Sequence, residues 1–164
     1  MPLTPSSVSA ETDDGVNGNG IDSDGLENAA LTEADAALSA SGSFTVSDVD
    51  LSDVVTASVT GVTASTSQTD NVDDVEIVTD VNGLVSVNGI AVADILAMLS
   101  LDPSAVIDGS TTSGTLGWTF ASDDATNLSA AQQAFDFLDA GDVLTLTYTV
   151  QVDDGNGFDG TDNA

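Results

Sequence analysis

The clearest pattern of apolar and polar positions lies at residues 142–157, DVLTLTYTVQVDDGNG. Leu144, Leu146, Tyr148, Val150 and Val152 alternate with Thr145, Thr147, Thr149 and Gln151. A period of two, rich in β-branched residues, predicts a strand with one buried face. The same alternation recurs at Phe44 and Val46, at Val55, Ala57 and Val59 (residues 54–62), and at Leu116, Trp118 and Phe120 (residues 115–121). Residues 72–79 and 84–88 read as a strand pair around residues 80–83, with Asn82-Gly83 as the turn signal. Residues 63–71 read as a loop, and a short turn is expected around residues 129–134.

Residues 91–101 break the alternation. Val92, Ile95, Leu96 and Leu99 follow helical spacing, and Pro103 comes after them, so a short amphipathic helix is expected. Residues 31–43 are ambiguous, because Ala and Glu favour helix while Gly and Ser interrupt it. Residues 1–29 are polar and rich in Gly, Asp, Asn and Ser, and read as a linker or an ion-binding entry loop. Many short strands with Gly/Asn/Asp turns predict an all-β fold, an antiparallel sandwich of about seven strands with one short helical insertion.

Composition changes this picture in one respect. The 164 residues include 28 acidic ones and no Lys, Arg or His, for a formal charge of −28. At 41% hydrophobic residues the chain is too apolar for a disordered acidic tail. A compact fold with this charge repels itself, and multivalent cations or high salt would offset the repulsion. Without cationic side chains there is nothing to neutralise phosphate, which argues against nucleic acid and anionic lipid as partners. With no Cys and no His there is no disulfide and no donor set for zinc or copper; oxygen donors leave Ca²⁺ or Mg²⁺. No apolar run approaches the ~18 residues of a membrane span, so direct membrane insertion is not expected. The start, MPLTPSSVSAETDDG, lacks the basic and apolar regions of a signal peptide.

The strand at 142–152 runs into Asp153, Asp154, Gly155, Asn156 and Gly157. Carboxylates and the Asn carbonyl are hard oxygen ligands, and glycine lets backbone turn around an ion. Asp48 and Asp50 stand two apart at the end of another strand, which permits both to face one ion, with Asp53 close behind. Asp22-Ser23-Asp24-Gly25-Leu26-Glu27 forms a second candidate loop, in which Asp22 and Asp24 are the donors. An EF-hand would need Asp or Asn where Gly20 stands. Asp70, Asp73, Asp74, Glu76 and Asp80 read as a solvated acidic face, and the aromatic residues, in phase with the core, read as packing rather than a sugar platform.

An internal echo joins the two ends. Gly18-Asn19-Gly20-Ile21-Asp22 and Gly155-Asn156-Gly157-Phe158-Asp159 share the pattern GNGxD, as expected of one period of a tandem array. The blocks LTEADAALSASGSFTVSDVD, SFTVSDVDLSD (43–53), SGTLGWTF (113–120) and FDFLDAGDVLTLTYTVQVDDGNG (135–157) resemble VCBS-type, cadherin-like repeats of large RTX-type bacterial adhesins. The resemblance implies an extracellular, immunoglobulin-like β-sandwich in tandem array on a type I secreted surface protein. It implies Ca²⁺ near the domain ends, with Glu33, Asp48, Asp50, Asp153 and Asp154 as the ligand set. It divides the chain into a junction at 1–29, a repeat at 30–157 and a junction at 158–164.

Two departures from the family stand out. The segment 62–113 is longer than a minimal repeat needs, and the family continues into a last strand where this chain has DGTDNA. Either that strand is missing, or residues near the N-terminus take its place. The function expected is a calcium-stabilised extender domain contributing to cell adhesion or biofilm formation. Its partners would be neighbouring repeats, while another domain binds the target. A glycan- or protein-binding module and a halophilic domain held by salt alone are the rivals. Without a His, Cys, Lys or Arg to act as base, nucleophile or clamp, the chain is not expected to be an enzyme.

Overall fold

The computed structural model describes residues 6–12, 22–23, 27–32, 35–48, 54–67, 75–79, 85–139 and 142–153. In chain order the elements are β1 (Ser6–Thr12), β2 (Asp22–Ser23), β3 (Glu27–Ala29), β4 (Ser39–Ser47), β5 (Val54–Ser67), β6 (Ile77–Thr79) and β7 (Val85–Val87). They continue with α1 (Val92–Ala97), β8 (Leu99–Asp102), β9 (Ala105–Asp108), β10 (Ser113–Ala121), a 3₁₀ turn (Ser122–Asp124), α2 (Ala130–Ala134) and β11 (Val143–Asp153). The protein is all-β with two short helices among the described residues.

One sheet has five strands in the order β3-β1-β11-β5-β9, a second has four in the order β2-β4-β10-β8, and β6 pairs with β7. Neighbours run antiparallel except β1 and β11, which are parallel. Side chains from both larger sheets enter one buried cluster, including Val55, Leu146, Tyr148 and Val150 from one and Phe44, Val46, Leu116 and Trp118 from the other. Phe120 and Tyr148 meet across it edge to face, ring centroids 6.4 Å apart.

The alternation read from sequence sets β11 and β10. Leu144, Leu146, Tyr148, Val150 and Val152 are all buried, and the intervening threonines are partly exposed. Trp118 is buried as its phase predicts. It lies directly opposite Gly42 in the β4–β10 ladder, and its indole covers the place a Cβ would take there.

Strand β5 is longer than the pattern suggested and absorbs part of the expected loop at 63–71. Its inward residues are Val55, Ala57 and Val59, then Val62 and Ala64, a slip of one position. A bulge resolves the slip: Val150 pairs with Val59 and Thr149 with Gly61, so Thr60 is the extra residue. Ala64 then packs against the core while Thr63 and Ser65 face out.

The helix expected over 91–101 stops at Ala97. Met98 caps it, its N–H donating to the Ile95 carbonyl at 3.2 Å, and Leu99–Asp102 is strand β8. Leu99 opposes Phe120 and Leu101 opposes Trp118, so this segment completes the β10 edge rather than another helical turn. Tertiary pairing overrides a weak local preference here. The expected turn near 129–134 is α2, started by a capping box in which Ser129 and Gln132 bond each other's backbone N–H. The pair at 72–79 and 84–88 narrows to β6 and β7; its turn at 80–83 lies outside the described residues.

The stretch 1–29, expected to be a linker or ion-binding loop, supplies β1, β2 and β3. Val8 and Ala10 alternate with Ser7, Ser9 and Glu11, and β1 runs along the β11 edge not taken by β5, from Ser7 opposite Thr147 to Thr12 opposite Val152. Of the two possibilities for the last strand, residues near the N-terminus occupying that edge is the one observed.

Acidic residues avoid the middle of the sheets. The outward positions of β4 are Ser39, Ser41, Ser43 and Thr45, and those of β11 include Thr145, Thr147 and Thr149. Like charges directly opposite across strands are destabilising. A chain with no cationic side chain has no counter-charge to place beside an outward Asp or Glu, so hydroxyls take these positions. Several acids therefore fall at strand ends.

Candidate metal site

Asp48 directly follows β4, whose inward residues Phe44 and Val46 are 3% and 0% exposed. The same parity carries Asp48 inward, and it is 2% exposed. Its backbone N–H donates to the Thr112 carbonyl at 3.0 Å, extending the β4–β10 ladder past Ser47 opposite Ser113. A carboxylate withdrawn from water costs several kcal/mol unless hydrogen bonds or a cation stabilise it. No side chain of this protein is cationic. Donors within the chain or a bound ion are the available forms of compensation.

The register gathers other carboxylate-bearing positions at the same end of the sheets. Asp22 pairs with Ser47, beside Asp48. Val54, which opens β5, is separated from Asp48 only by residues 49–53, a span of at most about 20 Å. Thr56 of β5 opposes Asp153, the last residue of β11, and Val54 opposes Asp108, the last residue of β9. Strand ends carrying Asp22, Asp48, Asp108 and Asp153 therefore lie at one end of the two sheets.

Three of the sequence candidates are thus located: Asp48 buried, Asp153 exposed, and Asp22 by its backbone pairing. Glu33, Asp24, Asp50, Asp53, Asp154 and Asn156 lie outside the described residues. Among the described residues, no group of three or more Asp, Glu, His or Cys side chains is assembled that could hold a metal ion. Two located side chains, one buried and one exposed, do not by themselves supply the 6–8 oxygens that Ca²⁺ takes.

Sequence reasoning missed Asp108. Its Oδ1 accepts from the Ser110 hydroxyl at 2.5 Å and the Ser110 N–H at 3.0 Å. Those bonds, the hydroxyl first, hold its carboxyl below the usual carboxylate range. The run Asp108-Gly109-Ser110, with Gly109 at φ 79°, is the signal that could have located this Asx-type turn. Asp142 is also buried, at the other end of β11. Its Oδ2 accepts from Asp139 N–H at 3.4 Å while its own N–H donates to the Asp139 carbonyl at 3.0 Å, a reciprocal pair just ahead of β11. From the acidic cluster at 70–80, Glu76 is exposed, as a solvated face requires; the others lie outside the described residues.

The class these features define is an all-β protein with carboxylates drawn toward one end of its sheets. Among the described residues no helix is long and apolar enough to cross a membrane. Comparison with protein-family models, with curated proteins and with solved structures found no match.

Proposed function

We propose that this chain is a calcium-stabilised structural repeat of a secreted bacterial surface adhesin, folded as an immunoglobulin- or cadherin-like β-sandwich. The observation that carries the reading is the burial of Asp48 in a chain without a cationic side chain, at the sheet end shared with Asp22 and Asp153. The two sheets with a common core support the sandwich. In this reading residues 30–157, together with β1, β2 and β3 from the stretch 1–29, form the body of the repeat, and 158–164 lead toward a neighbouring repeat. Asp48 and Asp153 bind Ca²⁺ together with oxygens from Glu33, Asp50, Asp53, Asp154 and Asn156, and Asp22, on β2, and Asp24 are further donors. The ion cross-links strand ends and cancels part of the repulsion, and its binding free energy adds to folding stability because the unfolded chain lacks the site. The work is mechanical: the domain extends the chain in the extracellular space while another domain binds the target.

Titration calorimetry of chelator-stripped protein with CaCl₂ at fixed NaCl tests the reading. A saturable heat in the ~10⁻⁴–10⁻³ M range of extracellular modules is expected. No saturable binding up to that range would leave the halophilic alternative.

A further inference from the structure

The turn at Asn88-Gly89, directly after β7, takes no part in the proposed calcium site. Val87 N–H donates to the Ile90 carbonyl at 3.1 Å, and Ile90 N–H returns a bond to the Val87 carbonyl at 2.8 Å. Asn88 has φ 45° and Gly89 φ 75°. Both central residues are therefore left-handed, the type I′ geometry that Asn-Gly favours. Asn88 also ends the β6–β7 hairpin. Beyond the pair Ile77 and Val87, its N–H donates to the Glu76 carbonyl at 2.8 Å and its Oδ1 accepts from Glu76 N–H at 2.5 Å. Asn88 is half-buried and Gly89 is exposed.

An Asn followed by Gly loses its side-chain amide readily, because glycine leaves the next backbone nitrogen unhindered. The Gly89 nitrogen attacks Asn88 Cγ, the Cγ–Nδ2 bond breaks, and ammonia leaves with the proton of the Gly89 amide. Water then opens the cyclic imide. Opening at Cγ gives aspartate; opening at the Asn88 backbone carbonyl gives isoaspartate, with the chain running through the former side chain. Ring closure needs the Gly89 nitrogen swung round beside Cγ by rotation about the Asn88 Cα–C bond. The first central residue of an ideal type I′ turn has ψ near about +30°, at least roughly a quarter turn from that arrangement. The bond from Glu76 N–H also holds the Asn88 amide group in place.

We propose that Asn88 is a site of spontaneous deamidation, locked while the hairpin is closed and released when the Glu76–Asn88 end of it opens. Local opening is the gate, so the modification records how often this end of the hairpin comes apart. The two products differ in consequence. Aspartate keeps Oδ1 as an acceptor for Glu76 N–H and adds one negative charge to a chain already at −28. Isoaspartate puts an extra methylene into the backbone of a two-residue turn, so Val87 and Ile90 no longer exchange both bonds. Its formation breaks the hairpin end irreversibly. The inference rests on the hairpin alone and is independent of calcium.

Full-length protein is held in warm, mildly alkaline buffer, native or unfolded in urea, and sampled over time. A protease that cuts before Asp releases residues 80–93 as one peptide, which contains Asn88. Peptide mass and fragmentation give the amide loss at Asn88, and the protease cuts before a new aspartate but not before isoaspartate, so the products separate. The urea sample sets the unprotected rate. In the native protein the loss at Asn88 is expected to be at least ~tenfold slower than in urea, as local opening requires. Glu76→Pro lacks the N–H that bonds Oδ1, and in it the native rate should rise toward that in urea. Emission from Trp118, the only tryptophan, reports whether this variant is folded. A smaller slowing in the parent protein overturns the proposal, as does a folded Glu76→Pro that protects Asn88 as well as the parent. Should Glu76→Pro not fold, the comparison of native and urea rates in the parent decides alone.

Discussion

The hydroxyl of Tyr148 donates a 2.8 Å hydrogen bond to the carbonyl oxygen of Ile95, tying the centre of the five-stranded sheet to helix α1. Both residues are fully buried, and burial pushes the phenol upward from its ordinary value near 10. Tyr148 is the only tyrosine, and with no Lys, Arg or Cys it is the only side chain that titrates between about pH 9 and 12. Because the folded pKa is raised, the stabilisation is complete below the unfolded pKa. It is lost as pH rises beyond about 10, at about 1.4 kcal/mol per pH unit, until the folded hydroxyl ionises. Tyr148→Phe should cost about 1 kcal/mol at neutral pH, through the lost hydrogen bond to an Ile95 carbonyl that keeps only the Met98 N–H, and should abolish the alkaline loss. Urea melts of both proteins across that range check this; the same alkaline slope in Tyr148→Phe would contradict it.

Gly114 and Gly42 are required for space. A Cβ on Gly114 would stand 2.1 Å from the Val106 carbonyl oxygen, where β9 crosses β10, so backbone would have to move. A Cβ on Gly42 would meet the Trp118 indole at 2.6 Å. Gly114→Ala should destabilise by about 3 kcal/mol or more and Gly42→Ala by about 1–3 kcal/mol, the usual range for overpacking. Trp118 is the only tryptophan, so its emission should shift to the red in Gly42→Ala as the ring is displaced. Unchanged stability and emission would contradict the close packing.

The bulge at Thr60 yields a deletion test. Removing Thr60 makes Val55, Ala57, Val59, Val62 and Ala64 strictly alternate and leaves every pair with β11 intact. Removing Ser58 instead closes the bulge by bringing Thr60 opposite Val150 and Val59 opposite Gln151, so a threonine replaces Val59 on the inward face. The Thr60 deletion should stay within about 1 kcal/mol of the parent, a shift typical of changes that create no core defect, while the Ser58 deletion, which turns Val59 outward and Thr60 inward, should lose about 1–3 kcal/mol. Equal loss from both deletions, measured by thermal melts, would contradict the register.

What was legible in the sequence follows from where the signal is local. Period-two runs at Leu144–Val152 and Leu116–Phe120 fixed both the strands and their buried faces, because one face of each is wholly apolar. The tail of β5 was not legible: Thr63, Ser65, Thr66 and Ser67 look like a loop, and only pairing with residues 143–147 makes them a strand. Leu99 fits both a helical and a strand pattern, and β10, distant in sequence, decides between them. β1 was hidden among turn-forming residues although Val8 and Ala10 alternate. At the candidate site, Asp48 and Asp153 were legible as acids at strand ends. Asp108 was not, because its strand pairs with Val54 across a long stretch of chain.

The central claim is that a divalent ion stabilises the strand ends around Asp48. Monovalent salt screens exposed charges over a Debye length of ~8 Å but does little for carboxylates within a few ångströms of each other. Ca²⁺ can coordinate them directly, whereas Mg²⁺ dehydrates reluctantly and demands a tight octahedron. The measurement is a thermal melt at fixed NaCl, in EDTA and then in Ca²⁺ or Mg²⁺, on the parent protein and on Asp48→Asn, Asp153→Asn and Glu76→Gln. The account predicts a higher Tm in Ca²⁺ than in EDTA, a smaller gain in Mg²⁺, a gain reduced by Asp48→Asn and Asp153→Asn, and one left intact by Glu76→Gln. Equal Tm in EDTA and in millimolar Ca²⁺ would contradict it.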